Sequence, residues 1–343
     1  MERWWRVAHA GASDPAVTAM SIAHIGVFTS GGDSPGMNAA IRAVVRAAHH
    51  AGLRTSGILG GYDGMIKGDI RGLGVRDVSN IIQRGGTILR SARSEMFRTV
   101  EGRKRAAEQL ERSGIDALVA IGGDGTFTGA GYLFQEHGVR IIGLPGTIDN
   151  DLAGTDMTIG FDTATNTAVE AIDKIRDTAS SHDRLFFIEV MGRDTGFIAM
   201  RCALAAGAEF VMIPEKLQAI DELTEVLRKG ATSKSSSIVI VAEGDEEGGA
   251  YAIARKVKER FDHYDTRVTV LGHLQRGGSP SVTDRIIASR MGVAAVELLM
   301  SGTHDSMVGI VNDEVVTTTF RQAIGKRKRI NEELLRILAV LST

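Results

Sequence analysis

Apolar runs of strand length alternate with helical patterns through most of the chain: "HIGVFTS", then "MNAAIRAVVRAAHHAG", "RTSGILGG", "EGRKRAAEQLERSG", "DALVAIGG", "TFTGAGYLFQEHG" and "VRIIGL". The strand segments are apolar at successive positions, so both of their faces must be covered. That predicts a parallel sheet with helices on either side. The alternation resumes with "RLFFIEV", "AEFVMIP", "SSIVIVAEG" and "TRVTVLG", each followed by a helical segment, which predicts a second α/β unit. The expected fold class is α/β, with two Rossmann-like three-layer α/β/α domains, mainly parallel sheets and an active site in the cleft between them. Residues 1–21 read as a disordered N-terminal tail. Residues 22–160 with 275–325 are expected to form the larger domain, because "RIIASRMGVAAVELLMSG" is apolar enough to return to the first sheet. Residues 161–274 with 326–343 make the smaller one.

Composition narrows the function classes. The chain has 343 residues, of which 43% are hydrophobic and 24% charged, as in an ordinary soluble domain protein. A formal net charge of -2 offers no broad basic surface, so neither nucleic acid nor an anionic membrane is an expected partner. No apolar run reaches the roughly 20 residues of a membrane span. The tail lacks the continuous apolar segment of a signal peptide, and Met20, just before the first strand, is a candidate translation start. The single cysteine, Cys202 in "AMRCALAAG", suits helix packing and a cytoplasmic protein without disulfides. Glycine is abundant, 41 residues of 343, or about 12% against about 7% in average proteins. The backbone must therefore turn sharply or approach something closely at many points.

The unusual glycines and aspartates sit after strands: "SGGDSPGMN", "IGGDGT" and "PGTIDND". In open parallel sheets that edge binds ligands, so three such loops can make one site. In the first loop Gly31, Gly32 and Gly36 allow a tight turn, and Ser34 with Pro35 suits a helix start whose free amides attract phosphate. The loop is neither G-x-G-x-x-G nor the lysine-bearing P-loop, and a plain strand-to-helix turn has the same composition. In the second, Gly122, Gly123 and Gly125 leave room for a polyphosphate, and Asp124 can hold the Mg²⁺ that accompanies it. A surface turn with a capping Asp is the alternative. In the third, an extended segment would point Asp149 and Asp151 the same way, one as a base and the other toward metal-bound water. A solvated turn would carry the same two aspartates. Arg90, Arg93, Arg184, Arg193, Arg267 and Arg276 are the candidate phosphate-binding cations.

Taken together these motifs resemble the bacterial ATP-dependent 6-phosphofructokinases, from about Ile22 to beyond residue 310. The resemblance rests on "TSGGDSPGMNAAIR", "RGGTILRSAR", "IGGDGT", "GLPGTIDND", "SSHDR", "EVMGR", "AEG" and "VLGHLQRGGSP", in family order and spacing. It implies transfer of the γ-phosphoryl group of ATP to fructose 6-phosphate, the committed step of glycolysis, with the larger domain binding ATP and the smaller one the sugar phosphate. It implies that Gly32, Arg93, Ser94, Gly123, Asp124, Gly125 and Thr126 bind ATP, with Mg²⁺ as cofactor at Asp124. Asp149 would be the base toward the 1-hydroxyl, with Thr147, Arg93 and Arg193 stabilising the transferring group and Asp151 supporting the metal side. Arg184, Arg267, His273 and Arg276 would hold the sugar phosphate, with Ile148, Met191, Gly192, Glu243, Leu274 and Gln275 in the same substrate set. Arg184 and Arg267 match residues that reach a neighbouring subunit's substrate, which implies a homotetramer.

The resemblance also implies an effector site for ADP or phosphoenolpyruvate at Arg42, Arg46, Arg176, Gly207, Glu209 and Lys234. Here the chain departs from the family, with Val75 in place of one effector arginine and Lys234 as the one effector lysine found. An i, i+4 arginine pair such as Arg42 and Arg46 equally fits a solvated helix face. "GKRKR" reads as solvated charge before the last helix. Pyrophosphate-using members carry an Asp at Gly125 and a Lys at Gly146, so the two glycines favour ATP. The alternatives are a pyrophosphate-dependent phosphofructokinase, a lipid or NAD kinase sharing "GGDGT", and a non-catalytic nucleotide sensor of the same fold. The second would not supply "GTIDND" and "GHLQRGG", and the third should have lost Asp149 or Asp124.

Overall fold

β1 (His24–Thr29) is buried along its whole length, as its unbroken apolar run requires, and pairs in parallel on both sides. The computed structural model describes residues 22–179, 184–216, 220–231 and 236–342. The tail 1–21, with Met20, and Lys234 lie outside them. After β1 come α1 (Met37–His50), β2 (Arg54–Ile58), α2 (Gly61–Lys67), β3 (Ile70–Gly72), α3 (Val100–Arg112), β4 (Ala117–Gly122), α4 (Asp124–His137) and β5 (Arg140–Pro145). A second run follows as α5 (Phe161–Ala179), β6 (Arg184–Val190), α6 (Phe197–Ala205), β7 (Phe210–Met212), α7 (Ile220–Gly230), β8 (Ser236–Ala242), α8 (Gly249–Arg260) and β9 (Asp265–Val270). The chain then adds α9 (Val282–Met300), β10 (Ser306–Val311), β11 (Glu314–Thr319), α10 (Phe320–Gly325) and α11 (Glu332–Leu341).

Two sheets result, a seven-stranded one in the order β11-β10-β5-β4-β1-β2-β3 and a four-stranded one in the order β7-β8-β6-β9. The smaller sheet is parallel throughout, while the larger has antiparallel pairs at its rims, β2 with β3 and β10 with β11. On one face of the large sheet Ile41 and Val44 of α1 and Met291 and Ala295 of α9 share a core with Val27, Val119 and Ile142. On the other, Phe28, Leu118 and Ile141 pack with Tyr62, Leu110, Phe127 and Phe320 from α2, α3, α4 and α10. The small sheet is covered likewise, by α5, α6 and α11 on one side and α7 and α8 on the other. This is the layered α/β architecture that continuous apolar strands demand.

Three local expectations change. Ser34 does not cap α1; its hydroxyl is buried without a partner, and Gly36, at φ 109, is the N-cap. Only glycine adopts that conformation without strain. β9 is not covered on both faces but runs along the outer edge of its sheet with alternating exposure. Lys328, inside "GKRKR", turns inward and is partly buried, whereas Lys326, Arg327 and Arg329 are exposed.

Candidate active site

Strand order reverses between β1 and β4, the place where an open parallel sheet leaves a crevice beyond its carboxyl ends. A cavity of about 500 Å³ opens there. Ser30 to Gly32 after β1, Gly123 to Thr126 after β4, and Gly146 and Thr147 after β5 line it, together with Arg93, Ser94, Arg193 and Arg276. All seven residues expected to contact a nucleotide lie on this wall. Neither α1 nor α4 has a side-chain cap, and in α4 the Thr126 and Phe127 amides already donate to the Gly123 carbonyl, so the Asp124 and Gly125 amides are the ones that can serve a ligand on the cavity side. A Cβ added at Gly125 would meet nothing within 4 Å, so the space beside this backbone is open. At Gly146 it would lie 2.9 Å from the Ile121 side chain, so a larger residue there would have to displace part of β4.

Arg193 joins this wall to the aspartate turn. Its Nη1 donates to Asp124 Oδ1 at 2.9 Å, and its Nε lies 3.1 Å from Asp149 Oδ2. Positions 124 and 149 therefore face one site, bridged by one guanidinium. Burial acts against the Arg193 charge, but the Asp149 and Asp124 carboxylates more than offset it and hold the cation firmly. Its backbone is left-handed, at φ 51, and its amide donates to Glu243 Oε1 at 2.7 Å. Glu243 thereby fixes the turn of Met191, Gly192 and Arg193 that follows β6.

The "GTIDND" segment is a bent turn, not an extended strand, because Asn150 is left-handed at φ 55. The alternation expected for Asp149 and Asp151 does not exist. The turn brings the two carboxylates into each other's field by another route. Burial pushes the Asp149 carboxyl above the usual range, against the pull of Arg193, Arg276 and the Thr147 hydroxyl, which donates to Oδ2 at 3.1 Å. Asp151 is pushed up to about 6 by burial and by the neighbouring Asp149 and Asp124 charges. The Oδ1 atoms of both are buried without a hydrogen-bond partner. Ile148, next to Asp149 in the chain, is wholly buried in the core that α5, α6 and α11 form on the small sheet.

The remaining candidates divide by place. Arg276 reaches the cavity, donating to the Asp33 carbonyl at 3.1 Å beside Gly32. On the same short turn His273 and Leu274 are exposed and Gln275 is buried. Arg184 and Arg267 do not join the aspartates. They share Asp265, at 3.5 and 2.7 Å, near the start of β6 and β9. Six residue steps along β6 separate Arg184 from the carboxyl end, about 20 Å. Arg90 is exposed and outside the cavity wall. Among the effector candidates, Arg176 Nη2 donates to the Ala206 and Gly207 carbonyls at 2.6 and 2.9 Å. Glu209 follows two residues later and accepts from the Ile238 amide at 2.6 Å. Arg42 and Arg46 lie on α1, in the helix layer of the other sheet.

Several wall residues had no signal in the sequence. Tyr62 donates to the Thr126 carbonyl at 2.6 Å and stacks on Phe97 with ring centroids 3.8 Å apart. Arg98 and Tyr132 complete the side away from the aspartates. They come from separate elements without a shared motif, so only the fold assembles them.

A phosphofructokinase family model matches residues 24–299. Among curated proteins, the "ATP-dependent 6-phosphofructokinase 1" of Thermus thermophilus is 59% identical over 319 residues, covering 93% of this chain and 99% of its own. The "ATP-dependent 6-phosphofructokinase" of Cytophaga hutchinsonii is 56% identical over 319 residues, 93% of this chain and 97% of its own. Of solved structures, the phosphofructokinase of Saccharomyces cerevisiae superposes with a TM-score of 0.82 at 38% identity, over 88% of this chain and 45% of that one. A pyrophosphate-dependent phosphofructokinase from Marinobacter aquaeolei superposes with a TM-score of 0.80 at 24% identity, over 91% and 86% of the two chains, a likeness of fold.

Proposed function

The chain belongs to the phosphofructokinase family, and from that premise we propose that it transfers the γ-phosphoryl group of ATP to the 1-hydroxyl of fructose 6-phosphate, with Asp149 as base. The observation that carries the reading is the bridge from Asp124 through Arg193 to Asp149, which joins a glycine-lined phosphate wall to a buried proton acceptor. As the sugar oxygen attacks the γ-phosphorus, Asp149 takes its proton, the bond to the bridging oxygen of ADP breaks, and ADP leaves. Thr147 orients Asp149, and the guanidinium of Arg193, with Arg93 from the same cavity lining, neutralises charge on the transferring group.

Phosphotransfer in this family uses a divalent metal, and the donor set here suits Mg²⁺. That ion takes one or two carboxylates and fills its octahedron with phosphate and water oxygens. Half-exposed Asp124 supplies such a carboxylate, and the unpartnered buried Oδ1 of Asp151 can orient metal-bound water. When bound, the ion neutralises phosphate charge. Gly125 and Gly146 support ATP over pyrophosphate as donor, since the first leaves open space for the nucleotide and a side chain at the second would have to displace Ile121.

Arg184 and Arg267 are assigned to a neighbouring chain's sugar phosphate, because Arg184 starts β6, Arg267 lies midway along the edge strand β9, and both pair with Asp265 rather than with the aspartate turn. This supports a homotetramer, as do the edge position of β9 and the exposure of Val270 and Leu274. His273 and Arg276 serve the chain's own site. Arg176, Gly207 and Glu209 form one half of an ADP or phosphoenolpyruvate site, with Arg42 and Arg46 of a second chain as the other half. The domains are taken as 22–160 with 275–325, and 161–274 with 326–343. No helix among the described residues is long and apolar enough to cross a membrane, and we assign the protein to the cytoplasm.

The test is formation of fructose 1,6-bisphosphate in a coupled assay with ATP or pyrophosphate, each with and without ADP. Turnover with ATP is expected. Faster turnover with pyrophosphate would overturn the choice of donor.

A further inference from the structure

The run "GKRKR" finds a use in Lys328. Its Nζ donates to Asn150 Oδ1 at 3.0 Å and to the Asp156 carbonyl at 2.7 Å. Asn150 is the residue between Asp149 and Asp151, and its left-handed backbone makes the bend that brings them together. Every polar arm of its side chain is engaged. Oδ1 also accepts from the Thr158 amide at 3.0 Å, and Nδ2 donates to the Asp156 carbonyl at 3.3 Å. An ammonium can only donate, so Lys328 also dictates which end of the Asn150 amide faces it. The amine sits 5.5 Å from the centre of the Phe197 ring. Asp156 and Asp151 attract its charge, and Arg201 opposes it.

We propose that Lys328 is a positioning residue for phosphoryl transfer: by clamping Asn150 and the Asp156 carbonyl it holds the turn that carries Asp149 and Asp151 against the nucleotide wall. The inference rests on Asp149 acting as base. Lys328 touches no reacting atom and acts through Asn150. A turn held open by a non-glycine left-handed residue relaxes when its restraint is removed. A displacement of about 1 Å at a reacting group is enough to lower turnover by about 100-fold.

The experiment compares the wild-type chain with Lys328→Met and Lys328→Cys in the ATP-coupled assay, the cysteine variant before and after alkylation with 2-bromoethylamine. Alkylation rebuilds an ammonium of nearly the same reach. The native Cys202 is buried and its thiol is pushed up to about 12, so position 328 reacts selectively. In Lys328→Met, kcat should fall by roughly tenfold or more while the KM values for ATP and fructose 6-phosphate stay near wild type. Alkylation of Lys328→Cys should restore most of the lost kcat, which assigns the loss to the ammonium itself, whereas a purely structural lysine would lower the denaturant midpoint of Lys328→Met and leave the kcat of its folded fraction unchanged. A folded Lys328→Met with wild-type kcat would overturn the inference. So would a fully alkylated Lys328→Cys with no recovery, which decides the matter if Lys328→Met does not fold. An inactive wild-type chain would instead remove the function on which the inference stands.

Discussion

Arg193 joins at one side chain two of the loops beyond the strands, since it faces the Asp124 and Asp149 carboxylates together. Asp149, beside it, is nearly water-free, and burial raises its carboxyl above the ordinary carboxylate value near 4 despite the facing guanidiniums. A base works only when ionised. With Asp149 in the proposed role, activity should be lost as pH falls through this raised value, earlier than for an exposed carboxylate. A profile of log(kcat/KM) against pH should show that acid limb in the wild type and in Asp151→Asn. It should vanish from the residual activity of Asp149→Ser, and a limb unchanged in that variant would assign it to another group. The convergence of Asp124 and Asp149 was legible in the sequence, because both follow apolar runs whose carboxyl ends must share a sheet edge. The geometry of the aspartate turn was not, since Asn150 is left-handed and its side chain is held by Asp156 and Thr158 a few residues on and by Lys328 far along the chain, contacts that only the fold brings together. Lys328 itself was hidden in a run of like charges, whose pattern is the same whether a given member is solvated or turned inward.

Between elements, the junction of α5 and α9 ties the two sheets together. Asp284, fully buried on the first turn of α9, accepts from the Gly160 and Thr163 amides at 2.8 Å each and from the Thr163 hydroxyl. Ser281 caps the same helix, accepting from the Asp284 amide, and donates to Asp162 at 2.6 Å. Asp284→Ala would leave three buried donors unsatisfied. It should destabilise the protein by about 2–4 kcal/mol, read as a lower denaturant midpoint with an unchanged slope. A loss within experimental error would show that water replaces the carboxylate. The longer helices and the central strands were legible from periodicity, while the short α2 and α10 were not. The β10–β11 hairpin was not anticipated, because β11 is half exposed and rich in threonine, so it lacks the apolar run of its neighbours.

In the whole molecule, the separation of Arg184 and Arg267 from Asp149 is the feature one chain cannot resolve by itself. If the sugar phosphate is held by arginines from a neighbour, mixing two impaired variants should rebuild intact sites. Asp149→Ser would lack the proposed base and Arg267→Ala should have a raised KM for fructose 6-phosphate, yet a hybrid would place the first chain's Arg267 beside the second chain's Asp149. Mixed, dissociated and reassembled subunits should show a low-KM component absent from either parent. Its absence in verified hybrids would return both arginines to their own chain. The most direct test of the chemistry remains Asp149→Ser in the ATP assay, with fructose 6-phosphate binding followed by calorimetry. Turnover should fall by roughly two or more powers of ten while the sugar phosphate still binds, and turnover equal to wild type would contradict a base at Asp149.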